Sequence, residues 1–305
     1  MEKHLPRYDF TGRASRESKI HKMNIALFVK RSTSSARKAK DETDEEFVKR
    51  LTHLKLQDKN IKEIENLDMC LSLQVLYLQD NLLNSMTPLN ACKRLTNLHL
   101  SRNGITTITG LENATNLRKL FLDGNAILTV SGLESCIMLE ELNISNQKLQ
   151  NGMELAFEPS TLNTLSGNLT RLNVSGCNIV SPIVFSSMTE LQLLDCSNNK
   201  IKNAGEVVEV LSGLKELEKA IFTSNPVCKT TKYRETMLIN CNSRLSYLDG
   251  KEIDRKQRDA LIRFAKHRLN KKKQKKVRAQ QQGQQQQFQQ QQARQPLAAN
   301  QQRRY

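Results

Sequence analysis

The sequence predicts an α/β solenoid. Short strands build a curved parallel sheet on the concave face, short helical and turn segments return along the convex face, and disordered or helical tails flank the stack. Three observations predict it. The pattern Leu-x-x-Leu-x-Leu, strict in the first four units and with other apolar residues at its later positions thereafter, recurs in phase from Leu51, Leu73, Leu95, Leu117, Leu139, Leu169, Leu191 and Leu217, with spacings of 22, 22, 22, 22, 30, 22 and 26 residues. An Asn stands eight residues after the first Leu, with an apolar residue two further on, at Asn81/Leu83, Asn103/Ile105, Asn125/Ile127, Asn199/Ile201 and Asn225/Val227. The charge is unevenly placed: residues 51–250 carry 18 Lys/Arg against 20 Asp/Glu, residues 1–50 carry 13 against 8, and residues 251–305 carry 16 against 3. The net +16 of the chain therefore belongs to its flanks, and any attraction to an acidic surface resides there.

The residue types follow from the stack. In Leu95-Thr96-Asn97-Leu98-His99-Leu100, a strand puts Leu98 and Leu100 on one face and Asn97, His99 and Ser101 on the other. The Leu face packs on that of the next unit, so no repeat buries its core alone. Each buried Leu contributes roughly 1.5–3 kcal/mol. The Asn is expected inside the turn after the strand, bonding backbone groups that leave the sheet and would otherwise be buried unpaired. Ile108, Val130, Leu111 and Leu133 are expected to return to the core from the convex side. Cys70, Cys92 and Cys136 share one repeat position, occupied by Ala114 in the third unit, as small, reduced, buried thiols.

An open stack needs caps. Thr43-Asp44-Glu45-Glu46 reads as a capping-box start to a short helix carrying Phe47, Val48 and Leu51. At the other end Asn225-Pro226 stops the last regular turn, followed by a helix around Tyr233–Ile239 and the run Leu245–Gly250. The expected organisation is a mostly disordered segment over 1–42, the capped repeats over 43–250, a basic helix over 251–278 and a disordered Gln-rich tail over 279–305. Ile25–Val29 could dock on a partner or on the domain itself, and Ser32–Ser35 beside Arg31 and Arg37 is a candidate phosphorylation cluster. The middle is irregular. Eight extra residues precede Asn168, including Phe157-Glu158-Pro159, Gln147 and Cys177 replace the Asn, and Pro182 takes an inward position. The insertion reads either as structural slack or as a partner contact.

The concave face is the candidate site. Its central column runs Lys55, Tyr77, His99, Phe121, Asn143, Asn173, Asp195, Ile221, and the column before it includes Lys119, Glu141 and Arg171. Tyr77, His99 and Phe121 should form an exposed stripe that the Leu pattern does not require. Exposed aromatics are what interface hot spots favour, although large rings could also merely fill the curvature. Partner-binding residues are therefore expected among Tyr77, His99, Phe121, Lys119, Glu141, Arg171 and Asp195, whereas Asn81, Asn103, Asn125, Asn199 and Asn225 are structural.

Other chemistry finds no support. None of His4, His21, His53, His99 and His267 lies in a motif with a nucleophile or ligand set, and no phosphate loop, dinucleotide fingerprint or zinc spacing occurs. No enzyme, cofactor or metal is expected. Met1–Leu5 lacks the apolar core of a secretion signal and Ile25–Val29 is too short to cross a bilayer, so a cytosolic or cytoskeletal location without membrane insertion is the expectation. On the basic helix, Leu261, Phe264, Ala265 and Leu269 share a face ringed by cations. It reads as a solvated extension of the cap or as a binder of acidic protein tails, nucleic acid or an anionic membrane surface, without sequence-specific nucleic-acid readout.

The repeats resemble a known class. The 22-residue period with Ile or Val after the Asn, and Gly110-Leu111 and Gly132-Leu133, is similar to the subclass in phosphatase-binding and axonemal leucine-rich repeat proteins. Asp58-Lys59-Asn60-Ile61, Val75-Leu76-Tyr77-Leu78, Asn146-Gln147-Lys148-Leu149, Asn225-Pro226-Val227-Cys228 and Leu248–Ile253 carry the resemblance, over about residues 45–255. It implies a non-catalytic regulator of the protein phosphatase 1 catalytic subunit at microtubule-organising centres or cilia, with tubulin and dynein components as further partners. Many such regulators dock through a basic residue, Val/Ile, any residue and Phe/Trp. Here Ile262-Arg263-Phe264 and Ile183-Val184-Phe185 come nearest, and both lack the base. The expected grip is the concave stripe instead.

Overall fold

The computed structural model describes residues 21–32 and 37–293. Thr33, Ser34 and Ser35 of the candidate phosphorylation cluster lie outside those residues, as do 1–20 and 294–305. The chain divides into two compact units, Met1–Ile253 and Asp254–Tyr305.

The first unit opens with two helices, α1 (Ile25–Arg31) and α2 (Asp44–Lys49). Four repeat strands follow: β1 (His53–Lys55), β2 (Val75–Tyr77), β3 (Asn97–His99) and β4 (Lys119–Phe121). The central part holds β5 (Thr129–Val130), β6 (Glu141–Asn143), β7 (Ala156–Phe157), α3 (Pro159–Ser166) and β8 (Arg171–Asn173). The last part holds β9 (Leu193–Asp195), α4 (Ala204–Gly213), β10 (Lys219–Ile221), α5 (Tyr233–Asn240), β11 (Tyr247–Leu248) and β12 (Lys251–Glu252). One ten-stranded sheet runs β1-β2-β3-β4-β6-β8-β9-β10-β11-β12, parallel throughout except for the closing β11–β12 hairpin. Its first eight strands fall on the eight Leu motifs, and the solenoid predicted from their phasing is the fold observed. Each motif places its middle Leu in the core: Leu54, Leu76, Leu98, Leu120, Leu142, Leu172 and Leu194 are buried, with Ala220 in the eighth.

Both caps follow from local chemistry. The Thr43 hydroxyl accepts from the Glu46 N–H at 3.2 Å and the Glu46 carboxylate accepts from the Thr43 N–H at 2.9 Å, closing a capping box over Phe47, Val48 and Leu51, all buried. The front cap is larger than the sequence indicates. Within the stretch expected to be mostly disordered, α1 packs on α2 and β1, with Met23 and Phe28 fully buried. Asn66 donates to the Met23 carbonyl at 2.7 Å, and Ser32 bridges antiparallel to Leu54, blunting the sheet edge. The five-residue apolar run has too little periodicity to announce a helix; the uncovered face of the first repeat supplies the reason for one. At the far end Asp249 accepts from the Phe222 N–H at 2.7 Å, and the hairpin closes the second edge.

The eight inserted residues leave the sheet register untouched, because β6 pairs directly with β8 (Glu141↔Arg171, Leu142↔Leu172, Asn143↔Asn173). The extra chain is taken up outside it. Strand β7 pairs parallel with β5 in a separate two-stranded ribbon, and α3 buries Thr161 and Leu165. Phe157 meets Phe185 edge-to-face at 5.5 Å. Pro182 begins a buried 3-10 turn over Pro182–Phe185, where its missing N–H costs nothing.

Among its described residues the second unit forms one helix, α6 (Arg255–Ala293). It continues through the Gln tract to Ala293, where the sequence reading placed disorder from residue 279. Gln is a good helix former and no proline interrupts the run. Phe264, Leu269 and Val277 are exposed along it. Among the described residues no helix is long and apolar enough to cross a membrane.

Candidate protein-binding surface

Below the sheet, an amide ladder fixes the turns. The Asn81 carbonyl accepts from the Lys59 and Ile61 N–H groups at 3.0 Å, and its NH2 donates to Leu56 and Leu78 carbonyls at 2.8 and 2.9 Å. Asn103, Asn125, Asn199 and Asn225 repeat the arrangement between successive units. The two substitutions keep the ladder continuous. Gln147 accepts from Ile127 N–H at 2.9 Å and donates to Leu122 and Ile144 carbonyls at 3.0 and 3.1 Å. The Cys177 thiol donates to the Ile144 carbonyl at 3.2 Å while its N–H feeds Asn199. Burial pushes this thiol up to about 11 and those of Cys70 and Cys136 up to about 12, so they stay protonated. All seven cysteines are free and six are buried.

On the opposite, concave face the register lines up Tyr77, His99 and Phe121 across three adjacent strands. Tyr77 and His99 stack with centroids 4.5 Å apart at 20°, and His99 and Phe121 at 4.5 Å and 8°. This spacing is close to that between strands, so the sheet itself sets the stack. All three rings are half-buried. Burial in the stack pushes the His99 imidazole below its ordinary range, while Asp123 and Glu141 pull the other way.

The remaining predicted site residues lie beside or beyond the rings. Lys119 and Glu141 face each other across β4 and β6 and form an ion pair at 3.0 Å. Arg171 follows on β8, exposed, and Asp195 stands in the central column on β9, its carboxylate accepting from the Ser197 N–H at 2.9 Å. Sequence reasoning missed Asp123, one step along from Phe121. Its carboxylate accepts from the Ser101 hydroxyl at 2.5 Å and the Asn143 NH2 at 3.1 Å, and Arg102, paired with Asp80 at 2.6 Å, lies 3.9 Å away. Phe185 is fully buried, so the aromatic of Ile183-Val184-Phe185 is core and does not serve as a docking residue. Among the described residues no cluster of three or more His, Cys, Asp or Glu could hold a metal ion.

Models of leucine-rich repeats match residues 71–113 and 93–135 as paired copies, and residues 168–188 as a single repeat. The chain is a leucine-rich repeat protein, and solenoids of this class bind proteins along their curved sheets. Among solved structures it is similar to internalin C2 of Listeria monocytogenes, at 18% identity, with a TM-score of 0.57 over 73% of this chain and 95% of that one. It is also similar to a leucine-rich repeat protein of Leptospira interrogans, at 22% identity and a TM-score of 0.52, over 67% and 55% of the two chains. At these identities the likeness is one of fold. A dynein axonemal assembly factor 1 homolog of Aedes aegypti is 35% identical over 78 residues, which are 25% of this chain and 6% of that protein.

Proposed function

We propose that the chain is a non-catalytic regulatory subunit that grips the protein phosphatase 1 catalytic subunit with its concave face, in the cytoplasm at the centrosome and microtubule cytoskeleton or in the cilium. The observation that carries the docking site is the stack of Tyr77, His99 and Phe121, three half-buried rings on one register line. Such rings present large area at low entropic cost, as hot spots do. The choice of partner comes from the sequence motifs, which resemble those of the testis leucine-rich repeat protein, a regulatory subunit of that phosphatase. A pull-down from ciliated cells tests the grip: Tyr77→Ala/Phe121→Ala is expected to lose the phosphatase, and undiminished capture rejects the reading.

A second reading, an axonemal or basal-body scaffold holding tubulin or dynein components, is favoured by the short match to the axonemal assembly factor homolog. Stoichiometric, salt-resistant retention in isolated axonemes without phosphatase supports it.

A further inference from the structure

The ring column stops at Phe121, and the reason is geometric. The next three residues of that column are short and bonded down onto their own strand ends. Asn143 accepts from the Ser145 N–H at 3.2 Å, Asn173 from the Ser175 N–H at 3.0 Å and Asp195 from the Ser197 N–H at 2.9 Å. Asn143 is drawn further aside by its bond to Asp123. One face of the Phe121 ring is covered by His99, and the other borders a hollow of about 150 Å³. Phe121, Glu141, Asn143, Arg171, Asn173 and Leu193 line it. Phe121 and Leu193 stand on opposite sides of it, three strands and about 14 Å apart at the usual strand spacing. A volume of this size holds one benzene-sized ring, and it is well below the roughly 300 Å³ at which pockets for free small molecules begin.

The rim carries one uncommitted charge. The Glu141 carboxylate is engaged by Lys119 at 3.0 Å, whereas Arg171 is exposed and, among the described residues, forms no ion pair with any carboxylate. A guanidinium is suited to a carboxylate, which it meets with two parallel N–H donors.

We propose that this hollow is the anchor subsite of the concave face. It takes an aromatic side chain of a partner protein as the fourth ring of the Tyr77–His99–Phe121 stack, while Arg171 holds an Asp or Glu one or two residues away. The proposal rests on the concave face being the protein-docking surface. It adds a sequence rule for what docks there: an aromatic residue with an acid beside it.

Selection of a random peptide library displayed on phage against the full chain tests the rule. Enriched peptides are expected to pair Phe, Tyr or Trp with Asp or Glu within two positions. Arg171→Glu, at an exposed position, should weaken them by about tenfold or more. Asn143→Tyr, which fills the hollow from within, should do the same. Enrichment of peptides without that pair, no enrichment at all, or equal binding to both variants overturns the subsite. The two levels separate cleanly. If Arg171→Glu and Asn143→Tyr retain a partner that Tyr77→Ala/Phe121→Ala loses, the subsite fails and the docking face stands. If Tyr77→Ala/Phe121→Ala also retains it, the docking face itself fails.

Discussion

The second to fourth repeats and the fifth and sixth solve one packing problem with different residues. In the former, the period is 22 residues, Asn81, Asn103 and Asn125 fill the turns, and rings fill the concave column. In the latter, eight residues are inserted, Gln147 and Cys177 replace Asn, and the column drops to Asn143 and Asn173. Yet the strands run on in register from β4 through β6 to β8. The turn needs a side chain that donates to the carbonyls leaving the strand, which Asn, Gln and Cys all do, not an Asn as such. The pitch is held by the buried Leu of each strand, not by the length of chain between them.

The two halves differ most in how much their stability depends on the ladder. Asn125 is fully buried and its loss in Asn125→Ala leaves the Ile105 N–H and the Leu100 and Leu122 carbonyls without their side-chain partner. About 3 kcal/mol of stability should go, from one to three such groups' desolvation. Cys177→Ala removes only weak thiol bonds and should cost about 1 kcal/mol. Urea unfolding measures both, and a larger loss at Cys177 would refute the idea that the regular half depends more on its amides. A second, smaller effect sharpens the role of the insertion. Thr161 is fully buried and donates to Glu134 at 2.7 Å, so Thr161→Val should lower stability by about 1 kcal/mol. An unchanged thermal midpoint would return the insertion to mere slack.

The smallest effect concerns pH. Because burial lowers the His99 pKa below its ordinary 6.5, the unfolded chain takes up that proton first as pH falls. The contribution is therefore complete above about pH 6.5 and shrinks below it. His99→Gln should flatten the decline of the thermal midpoint from about pH 7 to 5. A wild-type and variant difference that stays constant with pH would contradict a buried, neutral ring.

What the sequence made legible is whatever repeats. Leu98 and Leu120 announce their strands by spacing alone, Thr43 and Glu46 announce a helix start, and the ring column follows from counting. What stayed hidden has no period. Met23 and Phe28 are buried only because the first repeat offers a bare face, which no local pattern encodes. The two-residue pairing of β5 with β7 is too short to leave a signature. The hollow beside Phe121 depends on how Asn143 and Asn173 turn onto their own strands, which a column of letters does not contain. The extension of α6 through the Gln tract rests on a propensity that composition alone had assigned to disorder.

The closed edges of the sheet have a consequence for reach. With Ser32 bridging onto one end and the β11–β12 hairpin on the other, both ends of the parallel array are covered by chain that breaks its repeat. The array is a ruler of fixed length. Eight repeat strands at the usual spacing span about 34 Å from Lys55 to Ile221. A helix of about 22 residues is as long as that span, so a partner helix of the usual length, about 10–14 residues, meets only part of this surface.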